Sequence, residues 1–124
     1  MLLTHHRRMN KWVQLGGHTD GDSDVLAAAL REAGEESGIE GIRPLSGDIF
    51  DIDVHRIPAR GGEPAHYHYD IRFIATVTGS EDYTVSDESH DLAWVKIEKL
   101  TEYTTEDSML RMRRKWVKKH NKEE

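Results

Sequence analysis

Three glutamates and an arginine crowd one short stretch, Arg31-Glu32-Ala33-Gly34-Glu35-Glu36-Ser37-Gly38-Ile39. In a helix each residue advances about 100°, so Glu32, Glu35 and Glu36 fall within an arc of about 100° on one face. Carboxylates this close repel one another unless a cation sits among them. An all-oxygen ligand set suits a hard divalent ion such as Mg²⁺ or Mn²⁺. Arg31 stands four residues before Glu35, a spacing that permits an ion pair along the helix. The plainer alternative is a solvated acidic face, in which that pair contributes a few tenths of a kcal/mol.

The surrounding residues say how such a face is held. Gly16-Gly17 lets the backbone turn sharply and approach a ligand, because glycine tolerates positive φ and carries no side chain. His18 follows in the same loop, where it can approach phosphates. Asp22 or Ser23 is expected to cap a helix over residues 23–37 by accepting a bond from a free backbone N–H. Leu26, Ala29, Leu30 and Ala33 form its apolar stripe, beside the carboxylates rather than under them. Gly38 stops the helix. Gly34, inside it, costs about 1 kcal/mol relative to alanine and suggests close packing.

Elsewhere the pattern is mostly strand. Residues 2–6 and 11–15 read as two short strands joined by a polar turn. The first has nothing before it to pair with, which suggests a missing N-terminal strand and an open edge that a second copy of the chain could cover as a homodimer. A strand is expected within residues 48–57 and an exposed turn over 58–64. In the next strand Tyr67, Tyr69, Ile71, Phe73, Ala75 and Val77 alternate with His66, His68, Asp70, Arg72, Ile74 and Thr76. The aromatic face is read as core. The polar face, with His66, His68 and Asp70, is read as a surface meeting substrate or water rather than as a second metal site, because period-two spacing alone produces it. Residues 79–91 form an acidic loop and 92–97 a returning strand. Thr104 and Asp107 resemble a capping box opening a last helix to about residue 119, with Met109, Met112 and Trp116 buried. Trp12, Trp94 and Trp116 are all expected in the core.

A length of 124 residues gives one domain, 1–124. The net charge of −6 argues against a broad nucleic-acid footprint. Arg111, Arg113, Arg114, Lys115, Lys118 and Lys119 concentrate the basic charge in the last helix, where the helix dipole favours cations. No apolar run is long enough to span a bilayer, and the opening residues do not read as a secretory signal. With no cysteine there is no thiol nucleophile and no thiolate metal site. These features fit a cytoplasmic location.

Gly17, Arg31, Glu32, Glu35, Glu36, Gly38 and Ile39 stand at the spacings of G-x5-E-x7-R-E-U-x-E-E-x-G-U, where U is aliphatic. This pattern resembles the signature of the Nudix hydrolases. Ser23 occupies the place of its first glutamate, flanked by Asp22 and Asp24, and Ala33 fills the first U. Trp12, the His-x-His-Tyr-Asp strand, Glu88, Trp94 and Leu100 extend the resemblance. It implies an α/β fold, an α/β/α sandwich around a mixed sheet, and metal-dependent hydrolysis of a nucleoside diphosphate linked to another group. It also implies that Glu32, Glu35 and Glu36 ligate the metal together with the backbone carbonyl of Gly16 or Gly17. Arg31 would then hold a glutamate in place, and Glu88 would be a base or further ligand. Two rivals follow from the same resemblance. One is a binding module that only senses a nucleotide; the other is an isomerase, disfavoured because that chemistry uses a cysteine.

Overall fold

The structure, a computed structural model, describes residues 1–7, 10–16, 23–87 and 89–121. In chain order it contains β1 (Leu2–His6), β2 (Lys11–Gln14), α1 (Val25–Ser37), β3 (Ile42–Pro44), β4 (Asp51–Ile57), β5 (His66–Arg72), β6 (Ala75–Val77) and β7 (Ser89–Trp94). A 3₁₀ turn (Ile97–Glu102) and α2 (Asp107–Asn121) follow. The three ladders among the described residues are antiparallel: β2-β1-β7, β3-β6 and β4-β5.

β1 is the middle strand of its sheet, with β2 on one side and β7 on the other. The open edge expected beside it is therefore filled, by a strand from the far end of the chain. Successive side chains of a strand point to opposite faces, and both faces of β1 are covered. Leu3 enters a core cluster with Val95, Leu100, Met109 and Met112. Thr4, on the opposite face, is buried and its hydroxyl hydrogen-bonds that of Ser89.

That cluster fixes α2 against the sheet through Met109 and Met112, one turn apart. The start of α2 differs from the expected capping box. The Thr104 hydroxyl accepts from the Glu106 N–H, and the Glu106 carbonyl accepts from Met109 and Leu110. Trp12 packs at the margin of the cluster and meets Tyr103 edge-on at 5.2 Å. Trp116 is half-buried and stacks on His120. Trp94 is 41% exposed, not core, and its indole donates to the Glu81 carbonyl.

α1 begins at Val25. Asp24, not Asp22 or Ser23, is the cap: its Oδ1 accepts from the Ala27 N–H at 3.0 Å. Gly38 ends the helix at φ 71°, a conformation that favours glycine, with its N–H on the Gly34 carbonyl. Gly34 is not demanded by packing, since an added Cβ would meet only the Ile39 carbonyl, at 3.8 Å. Gly41 is: a Cβ there would lie 1.9 Å from the Thr78 carbonyl oxygen, where β3 and β6 draw together.

The long alternating stretch of residues 66–77 serves two ladders. β5 pairs with β4, the strand breaks at Phe73 and Ile74, and β6 pairs with β3. The expected orientation of β5 is reversed. Tyr67 and Tyr69 are 62% and 64% exposed, whereas Arg72 on the polar face is buried. The returning strand also lies earlier than expected, because Ile97 already starts the 3₁₀ turn.

Candidate functional site

The acidic helix holds two of its glutamates inward and one outward. Ala28 is buried, Glu32 and Glu36 are half-buried, and Glu35 is exposed. Residues 28, 32 and 36 follow one another at four-residue steps, so they share a face. Glu36 Oε2 accepts a hydrogen bond from the Gly16 N–H at 3.3 Å. The glycine turn and the carboxylate face, 20 residues apart in sequence, are thus brought together. Arg31 places Nη2 at 3.7 Å from Glu32 Oε1, so it does approach a glutamate of the set, the one beside it. Gly17, His18, Asp22 and Glu88 lie outside the described residues.

Each of the three carboxylates offers only oxygen, the ligand atom a hard divalent ion takes, with Glu32 and Glu36 on the inward face and Glu35 on the exposed one. Asp24, the carboxylate after Ser23, accepts the helix-cap bond through Oδ1.

A second charged constellation lies on the polar face of β5 and the strand beside it. β4 and β5 are paired so that Asp51 faces Arg72, Asp53 faces Asp70 and His55 faces His68. This is the polar face that turned inward, and α2 covers it with cations. Arg111 grips Asp51 with two bonds, Nε to Oδ1 at 2.9 Å and Nη2 to Oδ2 at 2.7 Å. Arg72 Nη1 adds a bond to Oδ2 at 3.1 Å, and Lys115 Nζ donates to Oδ1. Hydrogen bonding from Arg111 is the main cause that holds the Asp51 carboxyl well below the usual carboxylate range, against the opposing effect of burial. Arg111 is correspondingly raised, chiefly by its bond to Asp51. Sequence offered one signal for this cluster: Asp51, Asp53 and His55 repeat at period two, as do His68, Asp70 and Arg72.

His66 and His68 separate. His66 is exposed and its Nδ1 lies 3.1 Å from the Pro64 carbonyl. His68 belongs to the second constellation, with Nε2 2.9 Å from Asp70 Oδ1. A cleft of about 100 Å³ lined by Leu45, Asp48, Phe50, Ile74 and Lys119 is too small for a nucleotide. No helix of the described residues is long and apolar enough to cross a membrane.

The solved structures that resemble this fold include two of a C. elegans enzyme. A C. elegans Ap4A hydrolase binary complex matches with a TM-score of 0.68 and 23% identity, over 94% of this chain and 82% of that one. A C. elegans Ap4A hydrolase matches with a TM-score of 0.64 and 21% identity over the same shares. No curated protein matches the chain. The NUDIX domain model matches residues 1–117, across the glycine turn, the acidic helix and both charged constellations, and the chain belongs to that family.

Proposed function

We propose that this NUDIX domain hydrolyses the pyrophosphate bond of a nucleoside diphosphate linked to another moiety, in dependence on Mg²⁺ or Mn²⁺. The observation that carries the reading is the bond from the Gly16 N–H to Glu36, which joins the glycine turn to the carboxylates. Family membership supports the reaction class. The Ap4A hydrolase neighbours support a nucleoside-phosphate substrate.

Glu32, Glu35 and Glu36 would hold the metal, with a backbone carbonyl of the Gly16-Gly17 turn. A bound divalent ion supplies charge neutralisation at the diphosphate and a more acidic bound water. Gly16, Gly17 and His18 would meet the phosphates, since the absence of side chains at the glycines permits backbone contact. Arg31, beside Glu32, restrains that carboxylate and keeps the like charges of the helix from spreading apart. A carboxylate takes the proton from the attacking water; Glu88 is the candidate.

The test is turnover of a panel of nucleoside diphosphate derivatives, Ap4A among them, with Mg²⁺ or Mn²⁺. Glu36→Gln is expected to lower kcat by at least about a hundredfold. Turnover unchanged by Glu36→Gln would remove the catalytic assignment. One observation favours a nucleotide-sensing module instead: Ser23 supplies no carboxylate and Asp24 is engaged as a cap. Nucleotide binding without turnover of any panel member would select that reading.

A further inference from the structure

On β4 and β5 two directly opposed pairs, Asp53 with Asp70 and His55 with His68, stand on one face of the ladder. One ligand atom each from Asp53, His55 and Asp70 lie within 4.8 Å of one another. The His55 and His68 ring centroids are 4.9 Å apart, and His68 Nε2 bonds Asp70 Oδ1. We propose that Asp53, His55 and Asp70 form a site for a divalent transition-metal ion of the Zn²⁺ type, with His68 as the residue that orients Asp70.

Three features of the structure support this. First, the ligands come from two strands locked in register over seven residue pairs, so their spacing is set by the ladder rather than by loop flexibility. Second, the carboxylates are braced from one side. Arg111 Nη2 is 3.2 Å from Asp53 Oδ1, and Arg72 Nη2 is 3.7 Å from Asp70 Oδ2 and 4.0 Å from Asp53 Oδ2. A carboxylate has about four lone-pair directions, so these contacts do not exhaust it. Such hydrogen bonding around first ligands is the usual way a metal site is oriented. Third, the histidines are not needed for charge balance. Asp51, Asp53 and Asp70 are already matched by Arg72, Arg111 and Lys115, yet His55 and His68 still converge on the same carboxylates.

The neighbouring cations also decide which ion fits. They oppose a hard ion held by charge alone, such as Mg²⁺. An imidazole ligand adds affinity that does not depend on net charge and selects a borderline ion. The site shares no residue with the glutamates of α1, so it stands whether or not the proposed hydrolysis does.

The experiment uses the full chain carrying Glu32→Gln, Glu35→Gln and Glu36→Gln, titrated with Co²⁺ and followed by visible absorption. Saturation at about one ion per chain is expected, with Zn²⁺ but not Mg²⁺ displacing it. Adding His55→Ala is expected to abolish the signal, and His68→Ala to weaken binding by about tenfold. His55 and His68 are partly solvent-exposed, so Tm without metal should stay unchanged in both variants, while the rise in Tm on adding Zn²⁺ is lost with His55→Ala. Should the triple variant not fold, the unsubstituted chain in excess Mg²⁺ gives the same readout. The proposal is overturned by absence of saturable Co²⁺ binding, by binding that survives His55→Ala, or by displacement with Mg²⁺.

Discussion

Two clusters of carboxylates and basic side chains in this chain meet opposite fates. On α1 Glu35 is exposed and Glu32 and Glu36 are half-buried, with Arg31 beside Glu32. On β4 the Asp51 carboxylate is fully buried and gripped by Arg72, Arg111 and Lys115 from β5 and α2. A charge taken out of water must be paired within the fold, whereas a charge at the surface stays solvated and can take an ion from solution. The buried cluster therefore acts as a clasp between the hairpin and the last helix.

The sharpest way to break this contrast is to swap the assays. Asp51→Ala would leave three cations around a buried void, and its expected cost is about 3–5 kcal/mol of stability. Denaturant unfolding checks this; a loss below about 1 kcal/mol would mean the clasp is ornamental. Glu36→Gln should do the reverse. Activity falls at least about a hundredfold, equivalent to roughly 2.7 kcal/mol of barrier, while the unfolding midpoint moves little.

Acid should separate the clusters too. The Asp51 carboxyl is held below its ordinary value of 3.8. A depressed value in the folded state means that its contribution is complete above the ordinary value, near pH 4, and is lost progressively as pH falls from there toward the much lower folded value. Tm is expected to drop below about pH 4, and Asp51→Asn should flatten that slope. An unchanged slope would assign acid sensitivity to other carboxylates.

Smaller effects test the reversed hairpin and the helix. Tyr67→Ser, on the exposed face of β5, should cost no more than about 0.5 kcal/mol. A loss of about 3 kcal/mol or more would restore the aromatic face to the core. Gly34→Ala should stabilise by up to about 1 kcal/mol, since the added methyl meets ordinary contact only. A destabilised Gly34→Ala would reveal a packing role for the glycine.

The acidic helix and its family were legible because their signal is local. Arg31, Glu32, Glu35 and Glu36 lie within two turns of one helix, and Gly38 takes the positive φ that ends it. The hairpin was misread for the opposite reason. Alternation in β5 states that two faces differ but not which one meets the rest of the chain. Here the choice was made by Arg111 and Lys115, far downstream on α2, whose charges hold Asp51 inward, and Asp51 in turn holds Arg72. The three-residue β3, ending in Pro44, carried too little pattern to be seen at all.

The sequence by itself determined the element that bears the glutamates, the stop at Gly38, the Met109 and Met112 side of α2 and membership in the NUDIX family. Only the tertiary structure decided that β1 lies between β2 and β7, that Gly16 reaches Glu36, and that Asp53, His55, His68 and Asp70 share one patch. The physical reason is range. Helix spacing and glycine backbone freedom act within a few residues, whereas strand neighbours and the pairing of buried charge depend on segments the chain brings together only on folding.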